Sequence, residues 1–200
     1  MKPFYRVLTK PKNEISIKLD EDFKKKVAKN KPWFLILNKS SIDKESIVFS
    51  DKKSGARASI SSSGVVSYEE LIFLKNEIDA VRTIAVACGM LKLAKVIYLD
   101  SKTPFLFYFE IKNIKSKKIM ESQELNIFGS IESKVDSVLV ERSVDFSKNF
   151  DSYEFVFSLM MEVLDKIECP IDEEALKKEI KNAIDVLDNP LMFAIKTSQQ

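Results

Sequence analysis

The sequence predicts an α+β protein: an antiparallel or mixed sheet with packed helices, followed by a C-terminal helical pair. Three observations carry that class. Short stretches alternate apolar and polar residues with the two-residue period of a strand, at Ile15, Ile17 and Leu19 and again from Phe105 to Ile111. Between them, apolar residues recur at 71, 74, 78, 81, 84, 85, 88 and 91, the period of a helix. Near the C-terminus, "SYEFVFSLMMEVLDKI" and "DEEALKKEIKNAIDVLDN" follow each other with helical spacing and no strand between them. Strand signals gathered ahead of a run of helices point to segregated rather than alternating elements.

The elements follow in order. After the strand at Ile15–Leu19, Asp20 is placed to cap a short helix with Glu21 and Asp22 in its first turn, then Lys24, Lys25, Lys26, Lys29 and, beyond it, Lys31. Phe23 and Val27, four apart, give this helix one narrow apolar stripe, and Pro32 ends it. "WFLILNK", "SIVFSD" and "ARASIS" read as short strands between polar turns. Tyr68 to Ala94 reads as a helix, or as a strand and a helix divided before Ile78; "TIAVACGM" is apolar nearly all round and belongs at the centre. Gly89 marks a close approach or a break near its C-terminal end. "VIYLDSKTPFLFYFEIKN", residues 96–113, reads as two strands joined by a tight turn, and "SVLVERSVDF" as one more strand. In the last helix Asp172 is the N-cap, Leu176, Ile180, Ala183, Ile184 and Leu187 share a face, Asn189-Pro190 is the stop, and "KTSQQ" is a frayed end. The expected division is an α+β domain over 1–143 and a helical region over 144–200.

Composition narrows the chemistry. With 200 residues and 45% hydrophobic content the chain can bury a substantial core. No apolar run approaches the roughly 20 residues that span a bilayer, and the N-terminus lacks the apolar core of a secretory signal, so the expected location is intracellular, cytoplasmic or nuclear. The sequence contains no histidine. That excludes Ser-His-Asp and Cys-His catalysis and mixed Cys/His zinc sites, leaving carboxylates, Lys, Tyr or a hard cation. Its four glycines stand alone, so neither a P-loop nor a dinucleotide fingerprint is available and no cofactor is expected. Cys88 and Cys169 have no paired spacing and read as packing residues. The charge is polarised: residues 1–60 hold 15 basic against 7 acidic side chains, and residues 118–200 hold 9 against 17. The basic front suits an anionic partner; solvated faces that keep the protein soluble are the alternative.

Glu110 and Lys112 form a Glu-x-Lys pair on one face of their strand, with Leu106 and Tyr108, while Phe105, Phe107, Phe109 and Ile111 face the other way. Magnesium-dependent nucleases of the restriction-enzyme type use such a pair with a second carboxylate on the neighbouring strand. If the turn is Ser101-Lys102-Thr103, Asp100 pairs with Pro104 and lies about 20 Å from Glu110, too far to share a metal ion. The residues opposite Glu110 would be Ala94 and Lys95, which do not bind magnesium, so Glu69, Glu70 or Glu77 would have to complete the site. The plain alternative is the polar rim of a packed sheet.

The strand at 15–19, the Lys-rich helix 20–31, the strands over 33–60, the helix 69–93 and "VIYLDSKTPFLFYFEI", with Asp100, Pro104, Phe105, Leu106 and Glu110 at the turn and after it, together resemble a domain of the DNA sliding clamps, the PCNA-like processivity rings, over residues 14–115. The resemblance implies a non-enzymatic, oligomeric DNA-associated protein whose Lys24, Lys25, Lys26, Lys29 and Lys31 face phosphate without reading sequence. Flexible lysines on a helix give salt-dependent, sequence-independent attraction to phosphate; a solvated amphipathic face is the other reading of the same residues. A protein partner, or self-association, through helices 153–167 and 172–188 is the remaining expectation, carried by "FVFSLMMEVL".

Overall fold

Tyr5, Val7 and Thr9 alternate with Phe4, Arg6, Leu8 and Lys10, and the N-terminus is accordingly a strand, β1 (Phe4–Pro11), that sequence reading passes over. The structure, a computed structural model, describes residues 2–30, 39–42, 45–51, 55–72, 77–128 and 131–188. The expected strand "WFLILNK", apart from its last residue, together with Lys31, Pro32 and the tail after 188, lies outside them.

After β1 come α1 (Glu21–Asn30), β2 (Lys39–Ile42), β3 (Ser46–Ser50), β4 (Arg57–Ser61), β5 (Val66–Leu71), β6 (Glu77–Ile78), α2 (Ala80–Ser101), β7 (Phe105–Lys112), β8 (Lys118–Ile119), β9 (Ile131–Glu132), β10 (Ser137–Val144), α3 (Ser152–Lys166) and α4 (Glu173–Asp188). Seven strands form one sheet in the order β10-β7-β1-β5-β4-β3-β2, every pairing antiparallel, and β6-β8-β9 form a small second sheet. The class is α+β.

One face of the large sheet is the core. Phe105, Phe107, Phe109 and Ile111 of β7, Tyr5 and Val7 of β1, and Val138 and Val140 of β10 are buried. Against them lies α2, whose near-continuous burial matches its all-round apolar stretch. Buried hydroxyls on the two layers pair across the interface: Tyr98 with Thr9 at 2.9 Å, Tyr5 with Thr83 at 3.0 Å. Paired in this way, they avoid the desolvation cost of an unmade hydrogen bond. The apolar stripe of α3, including Phe155, Leu159, Met160 and Val163, joins the same cluster, as do Leu176, Ile180 and Leu187 of α4. The two C-terminal helices therefore pack on the sheet and α2, and side chains on both sides of residue 143 share one hydrophobic cluster.

Two sequence expectations are corrected, and a third is settled between its two readings. Residues 96–112 are not a hairpin: Val96–Ser101 are the last turns of α2, closed by Lys102 in the left-handed conformation (φ 50) with its N–H donated to Leu99, and only the second half is a strand. Pro104, just beyond, cannot continue a helix. Of the two readings of Tyr68 to Ala94, strand and helix is the one observed: β5 ends at Leu71, α2 begins at Ala80 with the Asp79 side chain accepting from the Arg82 amide at 2.9 Å, and α2 runs unbroken through Gly89. Residues 14–19 are not a strand; Ile15, Ile17 and Leu19 pack against the core from an irregular segment tied to the sheet by the Ile17 amide donated to Ser62. That segment crosses Gly64, whose φ of +80 and lack of a Cβ admit the Ile15 side chain, since an added Cβ would lie 2.2 Å from Ile15 Cδ1.

Caps behave as read. Asp20 accepts from the Phe23 amide at 2.8 Å, and that hydrogen bond, with Lys18 beside it, lowers its pKa. Asp172 accepts from the Glu174 and Ala175 amides at 2.9 and 3.0 Å and is lowered for the same reason. Among the described residues no helix is long and apolar enough to cross a membrane.

Candidate functional site

Two surfaces carry the residues singled out by sequence. The first is α1. Its single fully buried side chain, Val27, anchors it, and it packs on the C-terminal end of α2. Lys24 pairs with Glu21 at 3.4 Å, Lys25 with Asp22 at 3.7 Å, and Lys26 with Asp100 of α2 at 2.6 Å. Lys25, Lys26 and Lys29 are exposed, and Lys24 is half-buried. Chain connections place further lysines at this end: the Lys12 amide donates to Pro104, next to Lys102, and Lys10 sits opposite Leu106. The ion pairs are solvent-exposed and contribute little to stability, so an incoming anion can replace them at small cost.

The second surface is the face of the seven-stranded sheet that no described helix covers. Glu110 and Lys112 do share this face, as the two-residue period requires, and pair with each other at 3.0 Å. The residues opposite Glu110 are Arg6 of β1 and Leu139 of β10, where sequence had placed Ala94 and Lys95. One row then crosses the sheet: Leu139, Glu110, Arg6, Glu69, Arg57, Ser50. Arg6 Nε donates to Glu69 at 2.9 Å. In the next row Tyr108, Leu8, Ser67 and Ser59 follow, with the two serine hydroxyls 2.7 Å apart. With Lys112, and without Ser50, these side chains line a shallow depression of about 560 Å³.

Sequence reading missed Arg6 and Arg57 as members of this site and named Glu69 only as one of three acids, with Glu70 and Glu77, that would complete it. The signal was present in "FYRVLTK", whose odd positions from Tyr5 are buried and whose even positions are not. The partnership itself joins strands separated by about 50 to 100 residues and has no local trace.

The depression is a poor metal centre. Glu110 is held by Lys112 and faces Arg6, and the next carboxylate of the row, Glu69, lies beyond the Arg6 guanidinium, two strand spacings or about 9.6 Å away. Among the described residues no group of three or more acidic, Cys or His side chains is placed to hold a metal ion. Asp100, Glu70 and Glu77 lie elsewhere: Asp100 beside Lys26, Glu70 on the buried face with Arg82, and Glu77 on the small sheet. Magnesium chemistry at Glu110 and Lys112 therefore lacks its second carboxylate among the described residues.

Neither cysteine is a nucleophile at neutral pH. Burial pushes the Cys88 thiol up to about 12 and the Cys169 thiol up to about 11. The native protein is expected to react slowly with a thiol-exchange reagent at pH 7 and to release two equivalents on unfolding. Rapid modification of the folded protein would contradict the packing of α2 against α3 and α4.

No protein family, no curated protein and no solved structure matches this chain.

Proposed function

We propose that the protein is a non-catalytic, DNA-associated binding protein that contacts phosphate through its basic N-terminal end. The observation that carries the reading is the gathering of Lys24, Lys25, Lys26 and Lys29 on one short helix, with Lys12 and Lys102 at the same end of the sheet and α2. Such a helix attracts phosphate without reading bases, because flexible ammonium groups release counterions from the duplex wherever they land. The resemblance to sliding clamps gives these lysines the same role, although the strand at 15–19, the unbroken helix 69–93 and the strand-turn-strand over 96–113 on which it also rested are not formed. The acidic surplus of residues 118–200 disfavours phosphate contact through that part of the chain.

The test is a titration of labelled duplex and single-stranded DNA at two salt concentrations, with and without Mg²⁺, reading binding and strand integrity together. If the four lysines each neutralise one phosphate, log affinity falls against log salt with a slope of about −3.6 on duplex DNA. Replacing all four by glutamate is expected to weaken binding roughly a hundredfold or more at low salt while leaving the thermal unfolding midpoint nearly unchanged. Binding that survives this replacement rejects the assignment to α1. Strand cleavage in Mg²⁺ would replace the reading with a nuclease and bring Glu110 and Lys112 forward.

A further inference from the structure

The row across the uncovered sheet face alternates in sign: Glu110 on β7, Arg6 on β1, Glu69 on β5, Arg57 on β4. Two of these are bonded within the chain, Arg6 to Glu69 at 2.9 Å, while Glu110 is held by Lys112 at 3.0 Å. The pattern is antisymmetric about the line between β1 and β5. A two-fold axis along that line, lying in the plane of contact and parallel to the strands, turns the row over onto itself. It sets Arg57 of a second copy on Glu110 and Glu69 of that copy on Arg6, and each reciprocally. The same operation brings Leu71 of one copy onto Phe4 of the other, because those two residues are paired across β1 and β5 in the adjacent row. A two-fold axis perpendicular to the strands would stack Glu110 on Glu110 and Arg6 on Arg6.

We propose that this face is an isologous interface with a second copy of the chain, aligned by the Glu110-Arg6-Glu69-Arg57 row. Isologous contacts need a self-complementary patch, and an alternating row with opposite signs at its two ends is one. A polyanion is not favoured here, since Glu69 and Glu110 balance Arg6 and Arg57 and leave Lys112 as the surplus. The size fits: seven strands spaced about 4.8 Å and averaging about 20 Å in length offer roughly 600 Å² per copy, the lower end for a stable pair. Leu139, half exposed beside Glu110, supplies apolar area at the end of the row. The depression of about 560 Å³ over the row is the space that the partner's arginines enter. Self-association thus moves from the C-terminal helices, whose apolar stripe is consumed in the core, to the sheet.

The experiment is sedimentation velocity on the full chain across micromolar concentrations, with far-UV circular dichroism confirming the fold of each variant. Wild type is expected to form a dimer. Arg57→Glu places like charges over Glu110, and Glu110→Arg places them over Arg57, so each variant alone is expected to associate roughly a hundredfold more weakly or worse. An equimolar mixture of the two restores both contacts and is expected to form a heterodimer. Arg57→Gln and Glu110→Gln, which remove attraction without adding repulsion, weaken association less and serve if either reversal disturbs folding. A wild-type monomer overturns the proposal, as does a dimer untouched by the single reversals or a mixture that fails to recover. A monomer that uses Arg57 to bind an acidic peptide or DNA assigns the face to that ligand and overturns it equally. The α1 lysine replacements leave the dimer intact, which keeps this result separate from the DNA titration.

Discussion

Replacing Glu70 by alanine is expected to destabilise the protein by about 3 kcal/mol, because it removes the carboxylate shared by the partly buried Arg82 guanidinium and the buried Tyr68 hydroxyl. Glu70 sits on the buried face of β5, 9% exposed. It accepts from Arg82 Nη2 at 2.6 Å, from Arg82 Nε at 3.2 Å and from the Tyr68 hydroxyl at 2.9 Å. Burial alone would lower the Arg82 pKa, and the hydrogen bonds and charge of Glu70 raise it overall. Burial first, then the nearby Glu70 charge, pushes the Tyr68 hydroxyl far above its ordinary range. The pair closes the gap between the end of β5 and the first turn of α2, where Asp79, Thr83 and Tyr5 form an adjoining polar group. Removing one ionic partner costs more than the pair contributes, so the double change of Glu70 and Arg82 to methionine should cost far less than Glu70→Ala alone. Urea unfolding followed by circular dichroism, with an unchanged m-value, measures both. A single-variant loss below about 1 kcal/mol would show that solvent and the other contacts of Arg82 replace Glu70 at little cost.

How much of this was legible differs by element, for physical reasons. The short helices announced themselves because a cap is a local device: Asp20 and Asp172 each sit two or three residues from the amides that they bond. Strand β7 was legible for a similar reason, since its Phe105-Phe107-Phe109-Ile111 alternation is contained in eight residues. The end of α2 misled because Val96, Ile97 and Tyr98 are residues that favour strands. Tertiary packing overrides that preference: Ile97 and Tyr98 are buried, and the Tyr98 hydroxyl bonds Thr9 and the Gly64 carbonyl. β1 escaped notice because its open face carries Phe4 and Leu8 and its buried face carries Thr9, which blurs the polar and apolar alternation.

The candidate sites divide along the same line. Lys24, Lys25, Lys26 and Lys29 share one helix and are visible together, yet their carboxylate partners include Asp100, which only folding brings near. Glu110 and Lys112 were correctly placed on one face, but their surroundings come from β1 and β10, one about a hundred residues before and the other about thirty after. Period-two spacing tells which way a side chain points. It cannot tell what stands opposite, and the opposing Arg6 is what turns a possible metal edge into a charged row.

The second large effect separates adjacent residues of β7. Phe107→Ala is expected to cost about 3–5 kcal/mol, and Tyr108→Ala a small fraction of that. Phe107 is fully buried between Thr9 of β1 and Arg142 of β10 in register, with its ring 5.3 Å from Phe155 in an edge-to-face arrangement at 86°. Its removal opens a cavity under α3 that the sheet backbone, bonded on both sides, cannot close, so the transfer and cavity terms add. Tyr108 points to the uncovered face and loses only partial burial. Thermal and urea denaturation of both variants at low protein concentration, where any sheet-face dimer is dissociated, isolate the fold from association. Equal losses would mean that the face carrying Tyr108 is as tightly packed as the core, which would remove both the open sheet face and the interface built on it.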